Sequence, residues 1–356
     1  MAPVLRELRR RSGEFDPKFC FSGQHRELAM PFLRDFDLSP DMSLELMVPG
    51  QSLGQLTARA SEQLDRLFSG AEGGFDTVLV QGDTTTAFVA GLVAFYHRIP
   101  VGHVEAGLRT DSIDEPFPEE LNRRLITRIA KWHYAPTTVS AAALRSENVP
   151  EASILVTGNT GIDSLLWMAE RAPDLGDPGL RAFCGESKSV ALVTVHRREN
   201  LGEPVKRILS AVRDLAREFP DTRFVWPVHL NPGVRTEVRS ALGGESNVWL
   251  GEPLGYRDLV SVMKRAALIL SDSGGIQEEA PALLKPVLVL RNETERPEAV
   301  TFGTSILVGS DPLQIVEQGR GFLSGKRCLE IPASATPPYG DGHAAERIAE
   351  HLAGVL

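Results

Sequence analysis

The chain has 356 residues, of which 42% are hydrophobic and 24% charged, and its net charge is −9. That length exceeds what one hydrophobic core serves, so two domains are expected, and the composition is that of an ordinary globular protein. The acidic balance argues against a nucleic-acid partner, and three dispersed cysteines, Cys20, Cys184 and Cys328, argue against a disulfide framework or a structural zinc site. No apolar run reaches the roughly 20 residues of a membrane span. None of signal-peptide length opens the chain either, so no membrane partner and a cytoplasmic location are expected.

In chain order, a helical pattern at residues 3–11 comes first, with Val4, Leu5 and Leu8 on one face. Short β-branched runs follow at 18–22, 77–81, 101–105, 133–135 and 154–157. A second set covers 190–195, 223–228, 248–250, 268–271, 287–290 and 305–308. Several are nearly continuous in Val, Ile and Leu, as strands buried on both faces should be. Amphipathic stretches lie between them, at 53–68, 84–96, 119–129, 204–219 and 312–322. This alternation predicts an α/β protein of two doubly wound, Rossmann-like domains with parallel sheets. The break is placed after residue 158. Residues 1–158 plus 345–356 form the N-terminal domain, and 159–344 form the C-terminal domain. The final helix, 344–356, follows the Gly/Pro-rich TPPYGDG and crosses back to the first domain in this reading.

Ligands of open α/β sheets bind at the carboxyl ends of the strands, so those ends carry the functional argument. QGDTTTAF places Asp83 where a strand passes into a helix; a plain helix cap is the simpler reading of that segment alone. GHVEAGLRT repeats the geometry with Glu105. EPFPEELNRR then puts Glu119 and Glu120 at a helix start, where the helix dipole favours acids, and capping explains one of them. Asp83, Glu105 and Glu119 together give three acids near one sheet edge. Crowding of like charges there is expected to raise some pKa values and to suit acid/base chemistry.

The second half offers VTVHRRENLG, with His196 beside Arg197 and Arg198, and PVHLNPGVR, with His229. A lone histidine is more often structural; arginines beside it favour a phosphate role. SDSGGIQEEAPALLKPVLVLRNETERPE runs from a strand through Ser273, Gly274 and Gly275 into a helix. Small residues there let backbone N–H groups approach a diphosphate. Neither the Walker A pattern nor GxGxxG is present. Glu279, one turn into that helix, is placed to hold ribose hydroxyls, and Arg296 to meet a base or phosphate. A solvated helix face is the plain alternative for Glu278 and Glu279.

Taken in order, these segments resemble the non-hydrolysing UDP-N-acetylglucosamine 2-epimerase family over nearly the whole chain. The motifs are QHRE at Gln24, GDTTT at Gly82, PVGHVEAGLRT at Pro100, PEELNR at Pro118 and GNTGID at Gly158. HRREN at His196, PVHLNP at Pro227, SDSGGIQEEAP at Ser271, ERPEAV at Glu295 and PYGDG at Pro338 continue the series. The resemblance implies a glycosyltransferase-B type fold with a UDP-N-acetylhexosamine held between the domains, and neither a metal nor a nicotinamide cofactor. It implies interconversion of UDP-GlcNAc and UDP-ManNAc by elimination of UDP to a 2-acetamidoglucal and re-addition. It assigns Asp83, Glu105, Glu119 and His196 to catalysis. Arg123, Leu254, Leu259, Ser273, Gly274, Gly275, Glu279 and Arg296 fall to substrate binding. Which acid removes the C2 proton stays open. Leu259 departs from the family's more usual Phe, so weaker uracil packing is expected.

A second UDP-GlcNAc acting as an activator is expected against Gln24, Arg198 and His229, and a homodimer is expected from the same resemblance. The family begins with a strand and a Gly-Thr-Arg-Pro-Glu loop leading into Met-Ala-Pro, where this chain starts. A missing central first strand, and with it a gap in the first sheet, is therefore expected. Two neighbouring readings remain: an epimerase or hydrolysing epimerase on a related UDP-2-acetamido sugar, and a UDP-sugar binder without activity.

Overall fold

The computed structural model describes residues 1–23, 26–70, 74–171, 174–185, 187, 189–228 and 232–356. The chain divides into two compact units, Met1–Ser164 with Gly340–Leu356, and Leu165–Tyr339, and the division falls inside the helix Thr160–Arg171.

Unit 1 carries the strands β1 (Cys20–Phe21), β2 (Met42–Ser43), β3 (Val78–Gln81), β4 (Val101–Val104), β5 (Trp132–Ala135) and β6 (Ile154–Val156). All pairings are parallel, but they form two sheets: β1 with β2, and β3-β4-β5-β6. The strand at residues 18–22 therefore does not join the main sheet. Its partner β2 has two residues, too few for a period-2 pattern to be visible in the sequence. On one face of β3–β6 the helices Leu53–Ser69, Thr85–Tyr96 and Glu119–Ile129 cover a core that includes Val80, Val101 and Ile126. The helix Leu53–Ser69 starts at a capping box, Ser52 with Gln55, and buries Leu56, Ala60, Leu64 and Phe68 at four-residue spacing, so one apolar stripe faces the sheet. The other face is covered by the first and last helices, Ala2–Arg10 and Ala344–Val355. There Val4, Leu8, Ile348 and Leu352 pack on Val104, Trp132 and Tyr134. The last helix is anchored by Asp163, whose carboxylate accepts from the backbone N–H groups of Ala344 (3.3 Å) and Ala345 (2.8 Å), two of the orphan donors of a helix start.

Unit 2 carries β7 (Val190–Thr194), β8 (Arg223–Pro227), β9 (Val248–Gly251), β10 (Ala266–Ser271), β11 (Val287–Val289) and β12 (Ser305–Leu307). They form one parallel sheet in the order β12-β11-β10-β7-β8-β9. Alternation along the strands divides their side chains between two cores. Ala191, Val193, Phe224, Trp226, Leu268 and Leu270 pack under the helices Glu203–Glu218 and Pro312–Leu323. Val190, Leu192, Val225, Ile269, Val287 and Val289 pack against Leu175, Leu180, Met263 and Ile276 on the other face. Burial on both faces is why these strands read as unbroken apolar runs. Strand order reverses between β7 and β10, and the crevice outside such a switch point is where doubly wound sheets hold their ligands.

Candidate active site

In unit 1 the ends of β3 and β4 lie side by side, Gln81 paired in register with Val104, so Asp83 and Glu105 emerge from neighbouring strand tips. Gly82 has φ +69°, a left-handed turn that glycine adopts freely, and a Cβ there would sit 3.5 Å from Oε2 of Glu105, so the two tips lie close together. Glu105 itself has φ +65°. A left-handed backbone at a residue other than Gly, Asn or Asp costs about 1 kcal/mol or more, and such strain gathers at functional sites. The amide of Gln81 donates to Oε2 of Glu105 at 3.2 Å.

The helix Glu119–Ile129 supplies the other partners. Asn122 donates to the backbone oxygen of Asp83 at 2.9 Å, and Arg123 is ion-paired with the Asp83 carboxylate. Arg123 also lies 3.3 Å from the fully buried Glu120, which further accepts from Arg124 at 2.7 Å and from the Thr110 backbone at 3.2 Å. Of the two adjacent acids, Glu120 is thus the structural one. Glu119, the first residue of the helix, is half-buried and lies one turn before Arg123. Asp83 is thus held by a cation, Arg123.

Behind these residues His103 is fully buried, and its Nε2 lies 2.8 Å from the carbonyl oxygen of Gly82. Burial pushes its pKa down to about 3. The neutral ring donates from Nε2 and leaves Nδ1 a bare acceptor, consistent with the absence of a partner at Nδ1. His103 therefore pins the loop that carries Asp83.

In unit 2 the switch point lies between the ends of β7 and β10. Thr194 and Ser271 are hydroxyl-bonded at 2.7 Å, and the Ser271 hydroxyl accepts from the Ser273 backbone at 3.0 Å. His196 follows β7 and is linked to the buried Asp272 that follows β10. Gly274 opens the short helix Gly274–Glu279, and a Cβ on it would lie 3.6 Å from Arg197 Nη2 and 3.7 Å from Arg296 Nη2. Two guanidinium groups therefore converge on the Ser273–Gly274 turn. Gly275 is exposed. Arg296 is ion-paired with Glu278 and fastened through its backbone N–H to the Thr294 hydroxyl at 3.0 Å.

Glu279 accepts a hydrogen bond from the Tyr256 hydroxyl at 3.1 Å. Burial pushes its pKa up to about 7; the tyrosine's bond opposes that and neighbouring Glu278 adds to it. The helix that carries Tyr256, Tyr256–Arg265, is flanked by Leu254 and also carries Leu259, both partly buried against the adjoining core.

Each unit thus gathers its own share of the expected residues: Asp83, Glu105, Glu119 and Arg123 in one, and His196, Ser273, Gly274, Arg296 and Glu279 in the other. Gln24 and His229 lie outside the described residues, as does the side chain of Arg198. Arg197 was read from the sequence beside His196, whereas Tyr256, Asn122, His103 and Asp272 were not singled out, although the last three lie within PEELNR, GHVEAGLRT and SDSGG.

A family model described as UDP-N-acetylglucosamine 2-epimerase matches residues 6–353. A Yersinia pestis relative described as UDP-N-acetylglucosamine 2-epimerase is 46% identical over 359 residues, covering 99% of this chain and 94% of the relative. Among solved structures, UDP-GlcNAc 2-epimerase of Neisseria meningitidis bound to UDP-GlcNAc is 42% identical with a TM-score of 0.82, covering 99% of this chain and 95% of that one. A putative UDP-N-acetylglucosamine 2-epimerase of Listeria monocytogenes is 39% identical with a TM-score of 0.91, covering 99% and 91%.

Proposed function

The chain belongs to the UDP-N-acetylglucosamine 2-epimerase family, and from that premise we propose that it interconverts UDP-GlcNAc and UDP-ManNAc by inverting carbon 2 of the sugar. The observation that carries the reading is the convergence of Arg197 and Arg296 on the Ser273–Gly274 turn at the sheet's switch point, with His196 alongside. That arrangement suits a diphosphate. Unit 2 would hold UDP, with Glu279 accepting from the ribose hydroxyls and Leu254 and Leu259 flanking the base.

The acids of unit 1 suit the other half of the chemistry. The C2 proton is weakly acidic, so a positioned carboxylate must take it while the C1–O bond breaks and its electron pair leaves on UDP. The product of that step is a 2-acetamidoglucal. Return of a proton to the opposite face of C2, with UDP re-added at C1, completes the inversion. Asp83, Glu105 and Glu119 are the candidates for taking and returning the proton, and Arg123 fixes the orientation of Asp83. Positive charge at Arg197 and Arg296 would stabilise the departing diphosphate more than the bound substrate, which is the condition for speeding the elimination.

A homodimer is part of this reading. It is supported by solvent-facing Phe95, Tyr96, Leu121 and Leu125 on the adjacent helices Thr85–Tyr96 and Glu119–Ile129. Activation by a second UDP-GlcNAc at Gln24, Arg198 and His229 is proposed with it; unchanged UDP-ManNAc turnover on adding UDP-GlcNAc would count against that part. Among the described residues no helix is long and apolar enough to cross a membrane. The reading is tested by following UDP-GlcNAc with NMR. Growth of UDP-ManNAc to a stable mixture is expected. Release of free ManNAc with UDP would mark a hydrolysing enzyme, and an unchanged spectrum would mark a binder.

A further inference from the structure

Asp272 follows β10 and is fully buried, yet four donors meet its two carboxylate oxygens. The backbone N–H of His196 reaches both oxygens at 3.1 Å, and that of Arg197 reaches Oδ2 at 2.9 Å. The Asn200 amide donates to Oδ2 at 2.9 Å, and Nδ1 of His196 lies 3.1 Å from Oδ1. Burial by itself would raise the pKa of this carboxyl, but the bonds from His196, Asn200 and the Arg197 backbone outweigh it and hold the group below the usual carboxylate range. An ionised carboxylate only accepts, so the ring nitrogen facing it must carry the proton. In the neutral imidazole that leaves Nε2 bare. In the imidazolium, Nε2–H becomes a donor. The His196 side chain is 45% exposed, so a ligand can reach it.

We infer that Asp272 is a positioning residue, which fixes His196 with its proton on Nδ1 and leaves Nε2 as the nitrogen that meets the ligand's diphosphate. The inference rests on the reading of His196 as a residue of the UDP site. Asp272 also clamps the loop after β7 to the end of β10, and a clamp alone would explain its burial. The proposal differs from that plain role in what it requires of the imidazole: one tautomer. An imidazolium in that state would donate from Nε2 to the diphosphate oxygen that receives the electron pair when the C1–O bond breaks.

The test is nitrogen-15 NMR of the full-length protein, with the His196 ring signals assigned by their loss in His196→Gln. The proposal expects the Nδ1–H tautomer in the neutral ring; the Nε2–H tautomer would overturn it, with no variant of Asp272 needed. In Asp272→Asn the neutral His196 ring is expected to lose its single Nδ1–H tautomer and to sample both. With it, kcat should fall roughly tenfold or more with a smaller change in KM. Thr194→Val loosens the same strand ends without touching the ring, and should leave the His196 tautomer in place. An Asp272→Asn protein that keeps the single Nδ1–H tautomer would reduce Asp272 to the clamp alone and overturn the proposal. Failure of the epimerase reading is distinct, because it would appear as absent turnover in the unmodified protein, whereas the tautomer is read without turnover.

Discussion

The strand-tip residues of the site were legible because each sits where a buried apolar run stops at a polar group, and that signal is local. Asp83, Glu105, His196 and Ser273 all have it. Asp272 has it too, but its meaning, like that of Tyr256, lies in partners far along the chain: Asp272 meets His196 across 76 residues and Tyr256 meets Glu279 across 23. At Gly274 the missing side chain leaves room between two guanidinium groups and the turn. A methyl there would fit by ordinary contact but would occupy ligand space. Gly274→Ala is expected to keep its melting temperature within about 2 °C and to lose roughly tenfold or more in UDP affinity by calorimetry; unchanged affinity would move the diphosphate elsewhere.

Glu279 brings a pH dependence with a definite sign. Its folded pKa is raised from 4.5 to about 7, so its burial increasingly opposes folding as pH rises from 4.5 through 7. Ribose hydroxyls donate best to the ionised form. UDP affinity is therefore expected to climb as pH passes through about 7, with protons released on binding below that. UDP's own phosphate titrates nearby, so Glu279→Gln is the control: part of the slope should vanish. An identical slope in both proteins would contradict the assignment.

Among the elements, the buried strands and long amphipathic helices were readable from the sequence because the periodicity survives over enough residues. The helix Leu53–Ser69 is an example. Two-residue β2 was not, and neither was the separation of β1–β2 from β3–β6, which depends on which strands meet in space. A motif glycine can also mislead about function. Gly107 lies within VEAGLRT yet serves packing: it has φ +89°, and a Cβ would stand 2.3 Å from the backbone oxygen of Ser140 on the helix Thr138–Ser146. Backbone cannot yield as a side-chain tip can. Gly107→Ala is expected to cost on the order of 3 kcal/mol by urea unfolding, against almost nothing for Gly274→Ala. Equal stability of the two variants would contradict this contrast.

At the scale of the whole molecule, composition and alternation pointed to two doubly wound halves, and the ordered series of motifs pointed to the family. The chain has a six-stranded unit with a single strand-order reversal, where anion-directed side chains gather, and a second unit whose strand tips present carboxylates. Neither half suffices for the proposed reaction: a nucleotide grip without a base would bind only, and acids without the grip would have no leaving group to stabilise. The claim that both serve one reaction at carbon 2 is tested most directly by incubating the protein with UDP-GlcNAc in deuterated water and reading the sugar's C2 position by NMR. The account predicts deuterium at C2 in both UDP-GlcNAc and UDP-ManNAc, lost when Asp83, Glu105 or Glu119 is replaced by its amide; UDP-ManNAc that forms with the original C2 proton retained would contradict it.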